Sequence, residues 1–194
     1  MTHDFGYQFY EKNPELHKLG AVLITTIPGF PHIYHREIFP EGGIASINHD
    51  MFNFYKKLLK IREKSRAIKE GEIENVWKGG DNVIAYLRKY ENESVVVVVN
   101  FLNKTAVSTL NLSFLPKGTV LYDELNDEAF IVNEPSNFKI SVPAYGARIL
   151  TLMGNYEQKL FNCDWHDSLA PEFQTYETIK ELAQKKYGGE HEQK

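Results

Sequence analysis

Cysteine is almost missing from this chain of 194 residues: only Cys163 is present, so no internal disulfide can form. Positive charge is not in excess either. The formal net charge is -4, which argues against a partner bound by neutralising nucleic-acid phosphates. No apolar run approaches the length of a membrane span. The opening "MTHDFGYQFYEKNP" lacks a basic segment followed by an apolar one, so no signal peptide is read there and a cytoplasmic location is expected. No Gly-rich phosphate loop, Gly-x-Ser-x-Gly elbow or internal repeat occurs. Three sequons, at Asn92, Asn103 and Asn111, fall in turn-like stretches.

What is present is an ordinary globular composition: 42% hydrophobic, 25% charged and 13% aromatic, enough to build a core. "PELHKLGAVLITTI" predicts a helix over Pro14 to Ile27, with Asn13 as cap, Pro14 at the first helical position and apolar residues on more than one side. "PGFP" ends it. "HIYH" reads as a short strand and "REIFPEGGIA" as a loop. Met51, Phe54, Tyr55 and Leu58 recur at helical spacing, which predicts an amphipathic helix from about Asn48 to Ser65.

Beyond Ile68 the period changes. "GEIENVW", "NVIAYLRKYE", "ESVVVVVNF", "AVSTLNLS", "TVLYDEL", "AFIVN", "FKISV" and "ARILTLM" are short β-branched or alternating runs separated by turn chemistry. Such spacing predicts an antiparallel sandwich or barrel. Val95 to Val99 is too continuous for a half-exposed strand, so a central one is expected. The fold class read here is mainly β: an antiparallel sandwich preceded by two or three helices and one strand. The expected organisation is residues 1–67, then a sandwich over 68–153, then an extension over 154–194 whose Pro171 to Gly189 reads as a helix.

Several clusters invite a chemical reading. His32, His35 and Glu37 suggest a metal site, but residues three apart on a strand face opposite sides. Cys163, Asp164, His166 and Asp167 are dense yet lack zinc-ligand spacing. No cofactor or metal is called for. Trp77, Tyr86, Tyr90 and Tyr122 could form an aromatic platform for sugar rings, although core packing explains Trp77 more simply. Asn48-His49-Asp50 heads the second helix. Asn48 suits an N-cap, Asp50 the positive first turn, and Ile47 with Phe52 a hydrophobic staple.

Four pieces in order resemble the α-amylase family, glycoside hydrolase family thirteen. "ELHKLGAVLITTIPGFPHIYHREI" is similar to the family's late barrel helix, Pro-Gly-x-Pro segment and eighth barrel strand. "FYKKLLKIREKSRAIKEGE" resembles its last barrel helix and exit. "NVIAYLRKYENESVVVVVNFLNK" resembles the first hairpin of its C-terminal sandwich, and "VPAYGARILTL" its last strand. The resemblance implies the end of a (β/α)₈ barrel joined to that sandwich. A whole barrel takes about 250 residues, so most of one is missing.

The same resemblance implies a retaining enzyme acting on α-glucans or maltooligosaccharides. Such chemistry needs a nucleophilic carboxylate and an acid, about 5–5.5 Å apart. Both would come from strands this chain lacks, so inactivity in isolation is expected. The family's third carboxylate lies in a His-Asp pair upstream of the Pro-Gly-x-Pro helix. That position implies Asp4 as transition-state stabiliser, with His3, and Tyr34 at the rim, as sugar-binding residues. The family's usual Asn is Thr2 here, and its turn after Ile-Tyr is replaced by His35-Arg36-Glu37. Expected partners are the glucan and the remaining barrel, or a second copy through exposed helices. A non-catalytic glycan-binding or interaction module is the alternative.

Overall fold

The computed structural model describes residues 13–40, 44–77 and 83–152. Helix α1 spans Pro14–Thr26, α2 His49–Lys64 and α3 Arg66–Glu70. Eight strands follow: β1 Glu72–Asn75, β2 Val83–Tyr90, β3 Glu93–Asn100, β4 Ala106–Leu110, β5 Thr119–Asp123, β6 Glu128–Val132, β7 Phe138–Val142 and β8 Ala147–Leu152. Each of the eight short runs in the sequence becomes one strand. They form a six-stranded sheet ordered β1-β2-β3-β8-β5-β6 and a two-stranded sheet β4-β7, with antiparallel pairing throughout.

β3 explains its five valines. It runs between β2 and β8, with Val97 opposite Tyr86 on one side and Ile149 on the other. Because side chains alternate across a strand, Val96 and Val98 enter the core shared with the two-stranded sheet, among Leu110, Ile140 and Val142. Val95, Val97 and Val99 enter a second core under the helices, among Leu19, Tyr55, Leu58 and Ile68. The large sheet is therefore covered on both faces, and a polar residue has no place in the middle of β3.

The segment His32–His35, expected to be a strand, is not one. Residues 31–34 are irregular and His35–Glu37 forms a 3-10 turn. The reason is the ladder: a strand needs a neighbour to take its N–H and C=O groups, and no described strand lies beside this segment. The helix beginning near Asn48 is present, but its end is sharper than the periodicity suggests. Ser65 leaves the helix and its Oγ caps α3 by accepting from Ile68 N at 3.1 Å.

The helices are tied to the sheet by two buried arginines. α1 ends at Thr26, before Pro28, and its last turn carries no basic residue. Arg62 of α2 donates to Thr25 O at 2.9 Å, Gly29 O at 2.5 Å and Ile68 O at 3.2 Å. Arg88 of β2 is wholly buried and donates to Thr26 O at 2.8 Å and Gly71 O at 2.6 Å. Beside it the Tyr86 hydroxyl bonds the Thr26 hydroxyl at 2.6 Å. Burial pushes the Tyr86 phenol up to about 12, against the opposing pull of Thr26 and Arg88. Gly71 has ordinary φ but no room: an added Cβ would lie 2.4 Å from Ala67 O and 2.5 Å from Lys89 O.

Arg88→Lys and Gly71→Ala test this seam. A lysine cannot span two carbonyls in fixed fork geometry, and the new methyl must displace backbone. Each substitution is expected to cost about 2–4 kcal/mol, read as a lower urea midpoint in equilibrium unfolding.

Candidate functional site

The residues following α1 fold back on Glu37. Its carboxylate accepts from Tyr34 N at 3.2 Å through Oε1, while Oε2 meets His17 Nε2 at 3.1 Å and the Tyr55 hydroxyl. His17 comes from α1 and Tyr55 from α2, and their rings stand edge to face at 6.3 Å. The cluster therefore closes the loop between two helices onto both. Burial opposes ionisation of Glu37. The bonds from His17, Tyr55 and Tyr34 N outweigh that and hold its pKa below the usual carboxylate value. Such a group is a poor proton donor at neutral pH.

A second acidic group is buried in the sandwich. Asp123 is fully buried and accepts from Leu125 N, Ile149 N, the Asn126 amide and Arg148 Nη1, the last at 2.9 Å. Arg148 Nη1 also donates to Glu128 at 2.7 Å, and its guanidinium lies 4.9 Å from the Phe130 ring centre. Two carboxylates thus converge, but a shared cation stands between them. This arrangement orders β5, β6 and β8; it offers no free nucleophile.

The sequence-predicted residues separate. His3 and Asp4 lie outside the described residues, as do Cys163, Asp164, His166, Asp167 and the predicted C-terminal helix. Tyr34 is half-buried at the head of the 3-10 turn, with its ring 4.5 Å from that of His35. His32 and His35 are exposed while Glu37 turns inward, and no group able to hold a metal occurs among the described residues. Asn48 Oδ1 accepts from Met51 N at 3.1 Å and Asp50 pairs with Lys18 at 2.7 Å, so this motif starts a helix. The four aromatics make no common platform. Tyr86 and Tyr122 are buried, Trp77 packs on the sandwich core, and Tyr90 is half-buried on the helix side. The Glu37 cluster and the two arginine clamps were not singled out from sequence. Their partners lie 17 to 62 residues apart, apart from Ile68 beside Arg62 and Tyr34 beside Glu37.

A family model for the maltogenic amylase C-terminal domain matches residues 75–149, the span that folds as the sandwich from the end of β1 into β8. Over that span the chain is similar to the C-terminal domain of amylases. A trehalose-6-phosphate hydrolase of Bacillus subtilis is 34% identical over 100 residues, covering 52% of this chain and 17% of the relative. A cyclomaltodextrinase of Thermoanaerobacter pseudethanolicus is 33% identical over 107 residues, covering 48% of this chain and 18% of the relative. An α-amylase of Geobacillus thermoleovorans, solved with acarbose, superposes with a TM-score of 0.64 at 20% identity. It covers 74% of this chain and 34% of the larger one, and bears on fold alone. The chain thus spans under a fifth of these curated relatives and about a third of that solved neighbour.

The Glu37 cluster predicts a pH dependence. Its folded pKa lies below the unfolded value, so its contribution to stability is present above the ordinary carboxylate range. That contribution is lost as pH falls through the depressed folded value. Urea midpoints measured from neutral pH downward are expected to fall in that acidic window. Glu37→Gln is expected to lower the neutral-pH midpoint and flatten this part of the profile.

Proposed function

We propose that this chain is the C-terminal end of an enzyme acting on α-linked glucans, and is catalytically inactive by itself. Residues 1–67 would be the last units of the catalytic barrel, 68–153 the sandwich that closes and stiffens it, and 154–194 an extension. The observation that carries this reading is an apolar groove on the helical side, left open among the described residues. Ile33, Ile38, Phe52 and Leu59 line a groove of about 360 Å³ rimmed by Lys56, Lys60 and Glu63. Phe30, in the turn after α1, is fully exposed, and Ile27 and Phe52 are each 39% exposed. An open apolar groove with exposed apolar side chains on the same helices supports an interaction site. The partner this reading assigns to it is the remainder of the barrel.

Catalysis in the whole enzyme would be a retaining double displacement. The nucleophile and general acid would come from barrel strands outside this chain. Asp4 would steady the cationic transition state, with His3 and Tyr34 holding sugar hydroxyls. The names of the relatives, which include a cyclomaltodextrinase and an α-amylase, support an α-glucan over other glycans.

Two measurements check the reading. The purified 194-residue chain is expected to release no reducing sugar from soluble starch above a boiled control; sustained release would refute the inactivity. With its barrel face uncovered, the isolated chain is also expected to self-associate with rising concentration in light scattering. Phe52→Asp with Leu59→Asp should return it to a monomer of unchanged circular dichroism. A wild-type chain that stays monomeric at high concentration would count against the face being a seam.

A further inference from the structure

The last described strand ends inside a concavity. β8 finishes at Leu152, and both Thr151 and Leu152 line a groove of about 610 Å³ where the α2–α3 junction meets the β2–β3 hairpin. Ile61, Val95 and Leu152 give it an apolar floor with Tyr90 beside them, and the exposed Lys64 and Glu91 stand on its rim. It is separate from the groove of Ile33, Ile38, Phe52 and Leu59, with which it shares no lining residue.

Contacts across the sheet set the shape of this groove. Glu93 receives Ser65 Oγ at 2.5 Å, Arg66 N at 3.0 Å and Ala67 N at 3.2 Å, which joins the hairpin to the start of α3. Arg66 Nη2 donates to the Tyr90 hydroxyl at 2.5 Å and its guanidinium lies 4.2 Å from the ring centre, so that ring is held. A preformed groove has little to order when an insert enters it.

Residues 153–194 continue from this point. Within them Phe173, Tyr176, Ile179, Ala183 and Tyr187 recur at helical spacing between Pro171 and Gly188, along one side of the helix that the sequence predicts. Such a stripe needs a surface to bury against, because an isolated helix of this length is marginal in water. Groove and stripe suit the helix-in-groove mode, in which apolar anchors on successive turns enter an apolar floor. Glu172, Lys180 and Lys186 flank the stripe, and the rim likewise carries both signs of charge. A coil as long as residues 153–170 has a span of roughly 20–25 Å. That keeps the stripe near the groove at an effective concentration on the order of millimolar.

We infer that the chain's own C-terminal segment docks into this groove through the stripe from Phe173 to Tyr187, and clips α2, α3 and the β2–β3 hairpin to the end of β8. The occupant is the same chain and not a second copy, because the described chain leaves the sandwich at the groove itself. The docking holds whatever the whole enzyme acts on.

Disulfide trapping in the full chain tests this. In a Cys163→Ser background, which removes the native thiol, Lys64→Cys is combined with Lys180→Cys and oxidised at low protein concentration. An intramolecular disulfide is expected to form at least about tenfold faster than in a control that combines Lys139→Cys, on the two-stranded sheet, with Lys180→Cys. Adding Tyr176→Asp and Ile179→Asp should bring the rate down to that of the control. Neither residue belongs to the two cores described above, and thermal unfolding of each variant reports that its fold is kept. A control-level rate for the Lys64→Cys pair, a rate that survives the two aspartates, or a disulfide found between two chains would overturn the inference.

Discussion

The C-terminus of α1 is where this structure is held together. An α-helix ends with carbonyls that have no partner of their own, and here those carbonyls are buried between the helices and a sheet. The local sequence supplies no cation in the last turn and continues into Pro28 and Gly29. Two guanidinium groups arrive instead from α2 and β2. All the acceptors of Arg62 and Arg88 described above are main-chain carbonyls. Burial lowers the pKa of both arginines, but arginine stays charged in proteins. The helix dipole supplies the compensating negative potential, and three separate stretches of chain become one unit.

That unit gives the sheet its unusual symmetry of burial. β3 has a helical core on one side and a second sheet on the other, so its valines satisfy two cores at once. The helices are thus not a loose appendage to the sandwich. Their inner faces are committed to β2, β3 and β8, which leaves Phe52 and Leu59 of α2 facing outward. The seam that packs the helices onto the sheet also fixes the orientation of the apolar groove between Ile33, Ile38, Phe52 and Leu59.

The buried acids tell the same story in chemical terms. Glu37 and Asp123 each accept several donors, and each ties together elements distant in the chain. A carboxylate surrounded by donors is held stationary, which suits a fastener. The acidic residue assigned to chemistry by family resemblance is Asp4, and it belongs to the proposed enzyme as a whole.

Much of the β architecture was legible because it is written in short-range patterns. Runs of β-branched residues between turns became β1 to β8, the five valines marked the central strand, and Asn48 marked a helix start through its own cap. The segment His32–His35 was misread as a strand because its composition is that of one while its hydrogen-bonding neighbours are missing. Arg62, Arg88 and Gly71 were silent in the sequence, and Glu37 stood out there only beside His32 and His35. Each looks like a surface residue or a turn until the residue it touches, mostly tens of positions away, is brought to it. The sequence by itself determined which segments become helices and strands and which faces are apolar, since those follow from side-chain periodicity and local caps. Only the tertiary structure decided which charges go inside and which groove stays open, because burial of a charge depends on carbonyls and donors that come together from across the fold.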